Sequence, residues 1–555
     1  MTKFIFVTGG VMSGIGKGIT SASIGKIFQF RNYKVNLIKI DPYLNVDPGT
    51  LNPVEHGEVF VTEEVWDFEP VPGWKFRISE IDQDFGTYER FLGGKGMNMH
   101  PICNITSGQV YLSVLLKERY GEKYLGRTLQ IIPHITDEIK SRIRNVAKTF
   151  EPDILITEVG GTVGDIEGMP FFEALRQFRL EEMKEDTAFV HVTLVPNSVV
   201  GELKSKPTQH SVKQLLESGL QPDIIVGRSD IRLTKAIRKK ISLYCNVPIE
   251  AVISSPNLDL IYELPLEFEK QGLGTYLINV LNLPHRTPKS GNWERIMELY
   301  RKPRNILNIA MPGKYTAIID SYVSINEALK HAGAHNNSGI EINWIDTEQI
   351  EKNPNIIGKV MDEVDGILLT PGFGSRGVEG MIECAKYALK KNIPFLGICF
   401  GSQLLYIAYC QEYLNEKSAN TTEIYPETKC PVVDLLPEQK KVKSKGGTMR
   451  LGGHKVYIKK DTLLYEAYKK DIVVERFRHR FHIIPKFLEY SDKSPKMIIS
   501  AYDEEKRIVN AIEMRDRDFI VGVQFHPEFR SRVEKPSPVY NLFIKNVLDY
   551  KKQKK

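Results

Sequence analysis

The chain has 555 residues, of which 42% are hydrophobic and 26% charged, and a formal net charge of +6. That length is too great for one hydrophobic core and calls for two large domains or several smaller ones. The balance is that of a globular chain: no apolar run reaches the roughly 18 residues a membrane helix needs, and the small basic excess makes no case for nucleic-acid binding. Six cysteines (Cys103, Cys245, Cys384, Cys399, Cys410, Cys430) are scattered without a CxxC pair, which fits a reducing compartment. The opening MTKFIFVTGG runs straight into a strand and lacks a signal-peptide layout, so a cytoplasmic location is expected. The tail KKQKK reads as a solvated terminus.

Short apolar runs ending in glycine, proline or acid recur through the first half: KFIFVTGG, KVNLIKIDPY, DILITEVGG, AFVHVTLVP and PDIIVGRSD. Helical stretches such as SASIGKIFQFRN and FFEALRQFRLEEMK lie between them. This alternation predicts an α/β fold with buried parallel strands, whose carboxyl ends carry the functional residues. The segment VWDFEPVPGWKFRIS breaks the pattern with prolines, Gly73 and aromatics and is expected to be an ordered surface loop rather than a core strand. A proline-rich, charged stretch at 286–303 reads as a linker with one short helix. A second α/β series follows: ILNIAMPG, IEINWIDT, DGILLTPGFG, IPFLGICFG and FIVGVQFHPE. Two doubly wound domains are therefore expected, at 1–285 and 304–555, with a loop or hairpin inside the Lys- and Gly-rich stretch between Cys410 and Val473.

Two glycine-flanked strand ends carry the chemistry. In VTGGVMSGIGKGITSAS, Gly9, Gly10, Gly14, Gly16 and Gly18 let backbone N–H groups turn inward, and Lys17 adds a positive charge at a helix start. Five residues separate Gly10 from Gly16, and Gly18 stands where a Walker loop has Ser or Thr, so the spacing is not the standard one. The plainer reading is a glycine-rich turn with a solvated lysine; the strand before and helix after favour phosphate. Glu158, ending DILITEVGG, would be presented beside that loop as a Mg2+ carboxylate. Asp84 in EIDQDFGTYERF reads by spacing alone as a solvated or capping acid.

The second strand end is IPFLGICFGSQLLYIA, with Cys399 at a tight turn that Gly397 and Gly401 permit. A helix N-terminus behind the sulfur and a nearby histidine favour the thiolate. His526, with Glu528 two residues on to orient it, completes the triad logic, and Gly372 in TPGFGSRG offers an oxyanion donor. Alone, Cys399 reads as a small buried hydrophobe and His526 as a structural residue. Together in one domain they read as a machine for amide hydrolysis beside a site that uses ATP, hence an ammonia-transferring synthetase.

Further strings are more specific: KIDPYLNVDPGT, EHGEVFVTE, GTYERF, IIPHITDEIK, EVGGTVGDIE, KSKPTQHSV and YCNVP, together with GICFGSQ and FHPE. From Phe4 to His526 and beyond, the chain resembles the CTP synthase family, its second half resembling the class I glutamine amidotransferases. The resemblance implies glutamine hydrolysis through a Cys399 thioester, phosphorylation of the uracil O4 of UTP by ATP, and displacement of that phosphate by ammonia carried through an internal channel. It places ATP at Gly14, Ile15, Gly16, Lys17, Gly18 and Ile19, with Pro256, Asn257 and Leu258 on the adenine side, and Mg2+ at Asp84 and Glu158. UTP and CTP fall at Ser13, Lys204, Ser205, Lys206, Pro207, Thr208, Gln209 and Lys240, and CTP as feedback inhibitor also at Asp165, Ile166 and Glu167. Glutamine falls at Gly372, Phe400, Gly401, Ser402, Gln403, Glu423 and Arg478 around Cys399. His56 and Val59 fall in the channel region, and GTP as allosteric activator near Arg376 and GGTMRLG. A homotetramer able to stack into filaments is implied as well.

The chain departs from the family in the VWDFEPVPGWKFRIS insertion, in Gln109 at a usually basic position, and in TPGFG and MPGKY in place of PGGFG and VGKY. Two other readings stand beside the synthetase: an amidoligase that amidates carboxylates, against which KSKPTQ and GTVGDIE favour a nucleotide acceptor, and a filament-forming scaffold, which would need none of Lys17, Glu158, Cys399, His526 and Glu528.

Overall fold

The computed structural model describes residues 2–52, 56–93, 99–198, 201–313, 319–372, 374–441, 448–485, 488 and 496–554. It divides into two compact units, one of residues 1–48 and 66–297, the other of residues 49–65 and 298–555. The segment Gly49–Val65 thus belongs with the second half of the chain, although the division expected from composition lay only at 286–303.

The first unit is built on seven strands in the order Asn104–Thr106, Val35–Asp41, Ile154–Val159, Lys3–Gly9, Thr187–Leu194, Ile224–Ser229 and Val252–Pro256. Every neighbouring pair runs parallel. Runs such as ILITEV are buried along their whole length, because parallel strands covered on both faces have no wet side. Lys3–Gly9 sits where the strand order reverses, between Ile154–Val159 and Thr187–Leu194. Its carboxyl end therefore opens at a switch point, where open α/β sheets bind ligands. The expected linker helix forms at Gly291–Arg301, and its Trp293 is buried with the indole N–H donating to the Tyr262 carbonyl at 2.8 Å. That contact anchors the start of the helix, through Met297, in the first unit.

The insertion is not the surface loop expected from its prolines. Phe60–Phe68 and Phe76–Ile81 form a two-stranded ribbon, and only the turn between them is loop. Phe68 is buried with the Arg142 guanidinium 5.0 Å from its ring, and Trp74 at the turn rests on Tyr120 at 5.3 Å. The β-branched and aromatic content of FVTEEVWDF outweighed its neighbouring prolines, which lie in the turn.

The second unit holds a nine-stranded sheet in the order Ser338–Asp346, Asn305–Gly313, Gly366–Leu369, Phe395–Ile398, Ile520–Val523, Val509–Met514, Met497–Tyr502, Arg450–Ile458 and Ile472–His479. Its first five strands run parallel, the rest antiparallel. Ala419–Thr421, Cys430–Leu435 and Phe481–Ile483 make a small separate sheet. The helix Phe400–Tyr413, which starts at the cysteine turn, is buried from Phe400 through Cys410. Among the described residues no helix is long and apolar enough to cross a membrane.

Candidate active sites

In the first unit the nucleotide residues predicted from sequence gather just beyond the carboxyl ends of the parallel strands. Lys3–Gly9 gives way to a loop in which Gly14 and Gly16 take φ of +71° and +91°, and the helix Lys17–Phe30 follows. Ser13 is exposed at the loop, whereas Ile15 and Lys17 are buried and Ile19 half-buried. Lys17 Nζ donates to the Gly161 carbonyl at 2.6 Å, tying the loop to the one after Ile154–Val159. Burial pulls the Lys17 pKa below the usual lysine range, with Glu158 opposing that shift. Gly10 is required by space: a Cβ there would lie 1.5 Å from Ser211 Oγ. Ser211 Oγ in turn meets His191 Nε2 at 2.7 Å, and His191 Nδ1 meets Thr8 Oγ1 at 2.9 Å.

Four carboxylates surround one buried lysine. Lys39 Nζ is ion-paired with Asp84 and lies 3.4 Å from Asp82 and 3.6 Å from both Asp41 and Glu158. The ladder explains part of this, since Lys39 and Val7 both pair with Glu158. Burial would neutralise Lys39, but the carboxylates, Asp82 foremost, hold its pKa well above the ordinary value. Glu158, also bonded by the Tyr88 hydroxyl, is pushed up to about 7 by burial against the pull of Lys39. Asp41 reaches about 7 for the same reason. A Cβ on Gly18 would come within 2.5 Å of Asp84 Oδ1, so Asp84 lies against the start of the phosphate-loop helix. The isolated acid of the sequence is one corner of this cluster.

The remaining residues lie around the same edge of the sheet. Asp165 accepts from the Thr162 N–H at 2.7 Å, with Ile166 and Glu167 exposed on a short 3-10 turn. Lys204 pairs with Glu202 at 2.8 Å. Ser205 precedes the helix Lys206–Glu217, within which Thr208 Oγ1 donates to the Leu194 carbonyl at 3.1 Å and Gln209 Nε2 to Ser205 Oγ at 3.0 Å. Pro207 is at its first turn. Pro256 ends the last strand, Asn257 donates to Asp230 at 2.9 Å, and Leu258 follows half-buried. Lys240 is exposed on the helix Lys235–Cys245.

In the second unit, Cys399 stands between strand Phe395–Ile398 and helix Phe400–Tyr413 with φ of +53°, a left-handed value costly for a side-chain-bearing residue. The strain is held by the Cys399 N–H donating to the Val523 carbonyl at 2.7 Å, and by glycines on either side. A Cβ on Gly401 would sit 2.3 Å from the Leu369 carbonyl, and one on Gly397 2.7 Å from that of Gly401. The turn sets the sulfur at the N-terminus of the helix Phe400–Tyr413. The Cys399 thiol donates to the Arg478 backbone carbonyl at 3.7 Å, and Gln524 Nε2 donates to the sulfur at 3.5 Å.

Strand Ile520–Val523 runs parallel beside the cysteine strand and delivers His526 to the same place. His526 Nδ1 and Glu528 Oε1 are 2.7 Å apart, and Phe529 stacks on the imidazole at 5.3 Å. Burial disfavours the charged ring, yet the Glu528 carboxylate and the Cys399 sulfur outweigh it and push the His526 pKa up to about 10. Cys399, His526 and Glu528 line one cavity of about 90 Å3 with Gly372, Pro371, Tyr322, Arg478, Glu58 and Val59. Glu423 accepts from the Gly374 N–H at 3.4 Å, beside the Gly372 turn, and Ser402 and Gln403 donate their N–H groups to the Cys399 carbonyl. Arg376 is exposed and paired with Glu348 at 3.0 Å, outside that lining. His56 is exposed and Val59 faces the cavity. Of GGTMRLG, residues 446 and 447 lie outside the described residues, as do residues 94–98.

Three residues escaped sequence reasoning. Lys39 had a signal: it alternates with Asp41 at the end of the strand Val35–Asp41, so both reach one face of the strand. Gln524 stands two residues before His526 and shares that spacing. Glu58, whose carboxylate accepts from the Ser324 N–H at 3.1 Å and from its hydroxyl, had none.

Comparison with known proteins agrees with both halves. Residues 3–283 match the family described as CTP synthase N-terminus, and residues 317–546 match the family described as glutamine amidotransferase class-I. The chain is 50% identical over 555 residues to a CTP synthase of Pyrococcus abyssi, covering 100% of this chain and 99% of that one. It is 46% identical over 559 residues to a CTP synthase of Symbiobacterium thermophilum, covering 100% of both. A solved glutaminase domain of Trypanosoma brucei CTPS with bound acivicin is 32% identical over 44% of this chain and 94% of its own, with a TM-score of 0.41. A synthetase half and a glutaminase half, matched along the whole chain, place this protein in the CTP synthase family.

Proposed function

We propose that Cys399, His526 and Glu528 hydrolyse glutamine and that the Lys17 loop, with Asp84 and Glu158, activates UTP with ATP. Family membership makes the chain an ATP-dependent ligase that aminates UTP to CTP with nitrogen from glutamine. The observation that carries the residue assignments is the convergence, in one small cavity, of a strained cysteine, a histidine that retains its proton and the glutamate that orients it.

The Cys399 thiolate adds to the glutamine carboxamide carbon, and the Gly372 backbone N–H receives the oxyanion. His526 gives its proton to the departing nitrogen as the C–N bond breaks, leaving ammonia and a thioester. Water then adds, its proton going to His526, and the C–S bond breaks to return the thiolate and free glutamate. Gln403, Ser402, Phe400, Gly401, Glu423 and Arg478 bind the substrate around this centre.

In the other unit ATP lies along Gly14–Ile19, with Pro256–Leu258 on its adenine side. Ser13, Lys204–Gln209 and Lys240 hold UTP, and CTP shares these residues and adds Asp165, Ile166 and Glu167. The γ-phosphoryl group moves to the uracil O4, which converts a poor leaving group into a good one; ammonia adds at C4 and phosphate departs. Mg2+ suits the carboxylate cluster, which already surrounds a cation in Lys39. Asp84 and Glu158 would hold Mg2+, a hard cation that carboxylate oxygens suit. When bound, such an ion neutralises phosphate charge during transfer.

GTP binding near Arg376 and 446–452, a cytoplasmic location and a homotetramer complete the reading. The location is supported by six free cysteines, and the assembly by exposed Leu44, Leu125 and Ile166. The reading is tested by supplying UTP, ATP, Mg2+ and glutamine and following CTP. CTP with equimolar ADP and glutamate is expected, whereas amidation of a carboxylate acceptor with no CTP would refute it.

A further inference from the structure

Gln524 follows the strand Ile520–Val523 and is fully buried. Its Nε2 donates to Cys399 Sγ at 3.5 Å, and its Oε1 accepts from Gln403 Nε2 at 3.0 Å. Gln403 Nε2 also donates to the Phe481 carbonyl at 3.0 Å, which fixes that amide with its nitrogen toward Gln524. The Gln524 amide is fixed in turn, oxygen to Gln403 and nitrogen to the sulfur, since a reversed amide would set two donors against each other.

We propose that Gln524 is a further catalytic residue of the glutaminase, an N–H donor that steadies the Cys399 sulfur whenever it carries negative charge. The proposal rests on Cys399 being the nucleophile. The sulfur is charged twice in each cycle. Before attack its electron pair is free, then becomes the C–S bond as the carbonyl pair moves to oxygen. After water has added, the oxygen pair re-forms the carbonyl and the C–S pair returns to sulfur. Between these moments the sulfur belongs to a thioester, a weak acceptor. A fixed N–H therefore favours the departing thiolate over the acylated state, a difference that speeds deacylation. The Arg478 carbonyl has the opposite preference, since it accepts from the protonated thiol. His526 supplies the other charge facing the sulfur, but it must give up its proton during the cycle, whereas an amide keeps its N–H throughout.

The test uses the full chain with ATP, UTP, GTP, Mg2+ and glutamine. Gln524→Met keeps the volume and removes the donor. A hydrogen bond to a charged group is worth about 1.5–3 kcal/mol, so kcat for glutamine hydrolysis should fall roughly 10- to 100-fold, with KM falling alongside it as deacylation becomes limiting. The Cys399 acyl-enzyme should accumulate, read by mass spectrometry after acid quench, while ammonium-dependent CTP formation holds the parental rate. Gln524→Glu keeps the shape and sets an acceptor against the sulfur; it should also accumulate acyl-enzyme, and it serves if the methionine variant fails to fold. Hydrolysis at the parental rate, or a loss without added acyl-enzyme, overturns the proposal. Glutamine hydrolysis surviving in Cys399→Ala would instead overturn the nucleophile assignment beneath it.

Discussion

His526 binds its proton more tightly in the folded chain than in the unfolded one, where histidine titrates near 6.5. Its folded pKa is raised to about 10, so its stabilising contribution is complete below about pH 6.5 and drains away as pH climbs toward 10. Thermal melting of the parent should therefore fall more steeply between pH 7 and 10 than that of His526→Gln; parallel curves would contradict the ion pair. Glu158 has the opposite chemistry. Buried and raised to about 7, it is partly protonated at neutral pH and must release that proton to hold a cation. Titrating Mg2+–ATP into the protein at pH 7, in buffers of differing ionisation enthalpy, should show proton release that Glu158→Gln lessens. Uptake, or release unchanged in the variant, would remove Glu158 from the metal assignment. Cys399, His526 and Glu528 could be read from sequence because each sits in a short motif with its own glycines or neighbours. Gln524 could not, because its meaning is the sulfur 125 positions away. Lys39 is likewise defined by Asp82, Asp84 and Glu158, which only the folded sheet brings to it.

Strands and helices explain why some glycines admit no substitute. Gly10 follows the strand Lys3–Gly9 beside Ser211 of the helix Lys206–Glu217, and a Cβ at Gly10 overlaps that hydroxyl. Gly10→Ala should abolish ammonium-dependent CTP formation, and adding Ser211→Gly should restore part of it by vacating the space. No rescue at all would mean that Gly10 acts through backbone freedom rather than contact. The Phe60–Phe68 ribbon offers a second comparison. Phe68→Ala removes a buried ring and should cost about 3–5 kcal/mol, lowering the melting temperature. Trp74→Ala, at the partly exposed turn, should leave both melting and CTP formation near parental values. Equal effects of the two would contradict the packing described. Alternating apolar runs made the parallel sheets legible, since fully buried strands have one simple pattern. The ribbon is obscured in the sequence because the prolines and glycine of its turn stand between its two strands.

Over the whole molecule, the Lys17 loop belongs to one compact unit and Cys399 to the other. The chain enters the second unit at Gly49, leaves it after Val65 and returns at Glu298. Nothing in composition marks that first visit, because KIDPYLNVDPGT and EHGEVFVTE read as continuous loop and strand; only contacts such as Phe60 against Phe529 at 5.1 Å and Glu63 with Arg530 at 2.5 Å assign it. Two units with separate chemistry make one claim above all, that each reaction can be silenced alone. The direct measurement is CTP formation from UTP and ATP by parent, Cys399→Ala and Lys17→Ala, each supplied first with glutamine and then with ammonium. Cys399→Ala should make CTP only from ammonium, at the parental rate, and Lys17→Ala should make none from either source. Glutamine-dependent CTP from folded Cys399→Ala, or ammonium-dependent CTP at the parental rate from folded Lys17→Ala, would contradict the account.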